Sequence, residues 1–79
     1  MKKNILTKVA AGKKIRVVEI SAGHVLQRRL MGMGIYPGRE ITKVSQMMLH
    51  GPVTVKVGRS VVALGHGTAA AIWVEYGDQ

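Results

Sequence analysis

Ten glycines cut this 79-residue chain into pieces of strand length. Glycine costs backbone entropy inside a regular element, so its frequent recurrence marks turns. Three pieces share one grammar: Gly12-Lys13-Lys14-Ile15-Arg16-Val17-Val18, Gly38-Arg39-Glu40-Ile41-Thr42-Lys43-Val44 and Gly58-Arg59-Ser60-Val61-Val62-Ala63-Leu64. Each runs from a turn glycine through a basic residue to a β-branched residue and ends on an apolar one. The pattern predicts repeated turn-to-strand geometry in an all-β domain. Irregular spacing and too few copies argue against a solenoid.

The first strand is expected over residues 14–20, after a short turn whose Leu6 and Val9 cap one end of the core. Adjacent Val17 and Val18 break the alternation, as a bulged barrel strand does. In Val53-Thr54-Val55-Lys56-Val57 all three valines share a face. Gly58-Arg59 reads as a hairpin loop into Val61 to Leu64. Ile72, Val74 and Tyr76 alternate with Trp73 and Glu75 in a closing strand whose second face carries an exposed aromatic. Residues 65–71 form a single helical turn.

One stretch reads as helix: His24 to Met33, after Gly23 and stopped by Gly34. Leu26, Leu30 and Met33 make a narrow apolar stripe toward the barrel, Arg28 lies opposite and Arg29 on the flank. Gly34 suits the left-handed position after the helix. Tyr36-Pro37-Gly38-Arg39 has the composition of a type II turn.

With 79 residues, the expectation is one domain spanning 1–79. The absence of cysteine excludes disulfides, thiolate metal sites and thiol nucleophiles, and fits an intracellular setting. Lysines interrupt the N-terminal segment before a signal-peptide apolar region could form, and no apolar run reaches bilayer length. A net charge of +8 implies attraction to polyanions or to an acidic protein face. The basic residues are dispersed along the chain, and Tyr36, Trp73 and Tyr76 lie outside any basic cluster in sequence, so a nucleic-acid partner is not expected, and a nucleic-acid-binding SH3-like domain, which the net charge favours, stands as the rival reading.

The segment Arg28-Arg29-Leu30-Met31-Gly32-Met33-Gly34-Ile35-Tyr36-Pro37-Gly38 resembles the R-R-L-x-x-M-G-I-x-P-G signature of the FeoA family, ferrous iron transport protein A. Leu6 to Gly12 is similar to the family's L-x-x-L-x-x-G opening, with Val9 in place of the second leucine. Gly51-Pro52-Val53 matches a G-x-P-V region with one residue missing, and Leu64, Ala69, Ile72, Val74 and Glu75 match the ending. The resemblance implies an SH3-like barrel of five or six strands, with a short α-helix inserted after the first strand. The same module closes some iron-dependent repressors, but this length leaves no room for their DNA-binding and dimerisation regions. What the resemblance implies is a small cytoplasmic accessory of the membrane ferrous-iron transporter that carries a GTPase domain. Homo-oligomerisation is a further possibility, without membrane insertion.

No catalytic residue, cofactor or metal site is expected. His24, His50 and His66 are widely separated, without a His-x-x-His or carboxylate-His pairing, and read as exposed loop histidines. Gly65-His66-Gly67-Thr68 lacks the lysine of a phosphate loop, and no serine has a triad partner. Expected partner-binding residues are Arg28, Arg29, Met33, Tyr36, Pro37, Met47, Met48 and Leu49, while Leu30, Gly34, Ile35 and Gly38 hold the motif's shape. The apolar Met47-Met48-Leu49 either folds back over the barrel mouth or meets a partner. Arg28, Arg29, Arg39 and Arg59 are the candidates for an arginine supplied to the GTPase.

Overall fold

The computed structural model describes residues 1–77. Six antiparallel strands form one sheet: β1 (Lys2–Ile5), β2 (Lys14–Ile20), β3 (Glu40–Gln46), β4 (Val53–Val57), β5 (Ser60–Leu64) and β6 (Ile72–Tyr76). A 3-10 turn (Leu6–Lys8) follows β1, helix α1 (His24–Gly32) follows β2, and the short α2 (His66–Ala70) precedes β6. The order across the sheet is β1-β6-β2-β3-β4-β5. This is the mostly-β architecture expected for a small SH3-like barrel, with six strands.

Strand β2 falls on the expected residues, and its register slips between Val17 and Glu19 where the paired valines predicted a bulge. The three valines of β4 are buried together, and a two-residue link, Gly58-Arg59, carries the chain from Val57 to its partner Ser60. Leu6 and Val9 are buried at one end of the core, as expected.

Two expectations are corrected. The N-terminal residues, read as leading into a turn, form β1, so α1 follows the second strand instead of the first. Lys2 and Lys3 hide this strand from pattern reading because an edge strand needs no apolar alternation, and lysine there discourages pairing with other chains. Strand β6 ends the chain's regular structure but lies inside the sheet, between β1 and β2. Trp73 pairs with both Ile5 and Glu19 and is half-buried. The apolar residue that ends the second glycine-led piece, Val44, is exposed, because β3 shifts register between Lys43 and Ser45.

Lys43, placed by that strand's alternation on the same side as Ile41, is only 2% exposed. Its Nζ donates to the carbonyl oxygens of Leu6 (3.0 Å), Thr7 (3.4 Å) and Val9 (2.5 Å), and to Gln46 Oε1 (2.5 Å). Its backbone carbonyl accepts from Gly12 N, and its N–H donates to the carbonyl of Lys13. One side chain therefore fastens the 3-10 turn and the approach to β2 onto β3.

The oxygens around the ammonium favour its charged form, but removal from water outweighs them and lowers the Lys43 pKa below the ordinary 10.5. Lys43→Met keeps the side chain's length and removes the three N–H donors shared among its four acceptors. Loss of hydrogen bonds from a charged group predicts a destabilisation of about 1–3 kcal/mol, measured by denaturant unfolding. With the folded pKa below the unfolded one, the unfolded chain binds this proton more tightly. The favourable contribution is complete above 10.5 and is lost as pH falls through the folded value. The stability gap between the natural protein and Lys43→Met should therefore widen as pH rises toward 10.5. A narrowing gap would show that the ammonium is held more strongly than water holds it.

Candidate functional site

Helix α1 begins at Gly23, which has extended backbone and offers no capping side chain. Gln27 Nε2 donates to the carbonyls of Ala22 (2.7 Å) and Ile20 (3.4 Å), which ties the first turn to the end of β2. At the other end, Ile35 N bonds to Leu30 O and Gly34 N to Met31 O, each at 2.9 Å, with Gly34 at φ +85°. These two bonds around a left-handed glycine make a Schellman motif. Leu30 and Ile35, the hydrophobic pair that accompanies such a motif, are both 0% exposed.

The chain turns again at once. Arg39 N bonds to Tyr36 O at 3.0 Å across Pro37 and Gly38, and Gly38 has φ +95°, as the type II turn requires. Gly38 N then donates to Val17 O and Val17 N to Arg39 O, which docks this turn on β2 beside its bulge. The glycines, Leu30 and Ile35 thus shape the backbone, while Arg28, Arg29, Met33 and Pro37 are exposed. The helix stops at Gly32 and Met33 becomes its C-cap residue. Met33 is 36% exposed, where the apolar stripe predicted a barrel-facing side chain, because the cap geometry turns it off the helix face before the stripe's third position.

Tyr36 is half-buried and accepts a hydrogen bond from Arg39 Nη1 at 3.4 Å, with the guanidinium 6.0 Å from its ring centroid. Together with Lys14, Glu40 and Lys56 they line a shallow depression of about 580 Å³. The folded chain thus sets cations beside aromatics that are isolated in sequence, and Lys13 Nζ likewise lies 6.0 Å from the Tyr76 ring centroid. Lys14 and Lys56 carry no motif signal; only strand pairing across β2, β3 and β4 brings them to Tyr36. Among the candidate arginines, Arg28, Arg29 and Arg59 are exposed, whereas Arg39 is half-buried and engaged with Tyr36.

Met47, Met48 and Leu49 occupy the β3–β4 loop and are 64%, 87% and 93% exposed. They do not fold back over the barrel. Leu49 and His50 both have positive φ, so the loop is held in a conformation that side chains rarely adopt. This loop lines a cleft with Ile5, Thr7 and His66 and shares no lining residue with the Tyr36 depression, so the expected partner-binding residues divide between two places. His50 and His66 are also not the independent loop residues their separation suggested. Their ring centroids are 4.5 Å apart, and His66 is half-buried at the start of α2. Nothing in their spacing could show this, because the contact exists only once β4 and β5 return the chain past the loop.

The family profile of the FeoA domain matches residues 5–76. The chain belongs to the FeoA domain family. Its fold is similar to the crystal structure of an iron uptake regulatory protein, FeoA, at 32% identity and TM-score 0.84, covering 95% of this chain and 97% of that one. A FeoA-like protein from Clostridium acetobutylicum matches at 25% identity and TM-score 0.83, over 100% of this chain and 92% of that one. A manganese-dependent transcriptional repressor matches 94% of this chain at 25% identity and TM-score 0.84, but with 41% of its own length. No curated protein sequence shows significant similarity to the chain.

The FeoA signature is thus seen to encode a cap followed by a turn. Gly34 carries the strictest demand, because an added Cβ would also approach Val57 Cγ1 to 3.0 Å. Gly34→Val should lower stability by roughly 1 kcal/mol or more, from backbone strain alone. An unchanged melting temperature would contradict the left-handed assignment.

Proposed function

We propose that this FeoA-domain protein is a cytoplasmic accessory that binds the GTPase-containing part of a membrane ferrous-iron transporter and does no chemistry of its own. Family membership supports the connection to iron uptake, as does the relative described as an iron uptake regulatory protein. No helix among the described residues is long and apolar enough to cross a membrane.

The observation that carries the reading is the division of labour in the α1–turn segment. Leu30 and Ile35 are fully buried and lock the backbone, while Arg28, Arg29, Met33 and Pro37 project from it. A rigid, exposed, cationic and partly apolar surface fits a binding role, because preorganised groups lose little entropy on association. The charge of +8 steers the protein toward an acidic face and speeds encounter. Met47, Met48 and Leu49 offer a second, apolar contact area, and the outer edge of β5 has unpaired backbone groups for strand addition.

Arg28→Glu reverses charge on this surface without touching the core. The melting temperature should change little, while transporter capture and cellular iron uptake fall; a charge partner buried on binding is worth about 2–5 kcal/mol when broken, and a rim charge mainly slows association. Leu30→Asp is the contrasting variant, expected to lose fold and uptake together because it buries a carboxylate. Full uptake and undiminished capture by Arg28→Glu at low and physiological salt would remove this surface from the interface.

The cations beside Tyr36 and Tyr76 favour nucleic acid as a second reading, since stacking surface and charge then coincide. Assaying the transporter pull-down for nucleic acid separates the two. Nucleic acid recovered without transporter would support the second.

A further inference from the structure

The two histidines at the β3–β4 loop and α2 have no part in the docking role. His66 Nδ1 is shut away from solvent and has no hydrogen-bond partner. A buried polar atom left unsatisfied is rare in folded proteins and marks a place where a further group can be accommodated. The His66 ring itself packs against the imidazole of His50, with ring centroids 4.5 Å apart and the planes inclined at 50°. His50 itself stands at φ 61° on an exposed loop, so the backbone holds an unfavourable conformation at the residue whose ring packs on His66. Met47 and Met48 line the same cleft of about 310 Å³, and so does Lys8.

The donors available here are two imidazole nitrogens and thioether sulfur, all neutral and borderline to soft. Among the described residues no three His, Cys, Asp or Glu side chains converge, so neither carboxylate nor thiolate completes the set. Neutral donors in a protein of charge +8, with a lysine in the cleft, do little to offset a divalent ion. A soft monovalent ion that accepts few ligands meets neither difficulty, and thioether favours it.

We propose that His50 and His66, with the thioether of Met47 or Met48 as third donor, bind one soft monovalent metal ion of the Cu(I) class in this cleft. Binding uses the lone pair of His66 Nδ1 and so satisfies the orphan atom. It also pins the β3–β4 loop to α2. His50, being exposed, supplies the adjustable half of the site, since its side chain is free to reorient in the tilted pair.

The full-length protein should be titrated anaerobically with Cu(I) in competition with a colorimetric chelator, while histidine ring signals are followed by NMR. One equivalent should bind, shifting His50 and His66 and leaving His24 unmoved. His50→Ala, on an exposed loop, should keep the melting temperature and weaken binding by at least the 10 to 100-fold, roughly, that loss of even an outer-shell partner costs. His66→Ala should behave alike, and Met47→Leu with Met48→Leu should weaken binding more mildly. Unchanged Cu(I) affinity in folded His50→Ala would overturn the site. Tighter binding of Fe(II) or Zn(II) than of Cu(I) at these histidines would overturn the ion's class, and an unaffected double methionine variant would overturn the third donor.

Discussion

The structure depends on an ammonium group held inside a barrel without a counter-charge among the described residues. Lys43 Nζ gathers the carbonyls of Leu6, Thr7 and Val9 together with the Gln46 side chain, while the Lys43 backbone bonds to Gly12 and Lys13. The backbone partners come from the 3-10 turn and from the approach to β2, irregular segments in which the Leu6 carbonyl also accepts from Val9 N while Lys43 Nζ supplies a donor to the Val9 and Thr7 carbonyls. A lysine meets that need with one donor group on a flexible stem. An apolar residue would fill the volume and take away the donor that the Val9 carbonyl meets here. The bulge at Lys43/Ser45 then turns Val44 outward, so one position fixes both the closure of the barrel end and the start of the exposed β3–β4 loop.

A second constraint governs the FeoA signature. Backbone hydrogen bonds around Gly34 and Gly38, together with the buried pair Leu30 and Ile35, account for the signature's glycines and aliphatic residues. Their role is to reverse the chain twice in a few residues and to set the turn against β2. The residues the scaffold does not consume are the ones available to the proposed binding role: the arginines on the outer face of α1, the cations around Tyr36, and the tip of the β3–β4 loop. The same scaffold is found in a free-standing FeoA protein and within a longer manganese-dependent repressor, as expected if the fold supplies a stable platform and the exposed groups decide its use.

Much of this was legible in the residues. Glycine positions gave the turns at Gly34, Gly38 and Gly58, because only a residue without Cβ takes positive φ at little cost. Alternating valines gave β4, and the doublet Val17-Val18 gave the bulge, because side-chain period and strand pleat are the same geometric fact. Leu30 was legible as the helix's anchor for the same reason. The candidate surface was partly legible: Arg28 is exposed because the helix buries the opposite face.

Other features belong to the tertiary structure alone. A lysine in a strand reads as an outward residue until the turn that needs its protons is packed against it, so Lys43 could not be seen as core. Strand β1 has no apolar alternation and acquires its conformation from pairing with β6. The same pairing makes Trp73 half-buried, since a strand's exposure depends on how many neighbours it has, which local pattern does not encode. The proximity of His50 to His66, and of Lys14 and Lys56 to Tyr36, likewise follows from strand order across the sheet. The sequence by itself determined turns, periods and caps, which are set by the conformational limits of neighbouring residues. Which side chains meet was decided by the closed packing of strands far apart in the chain.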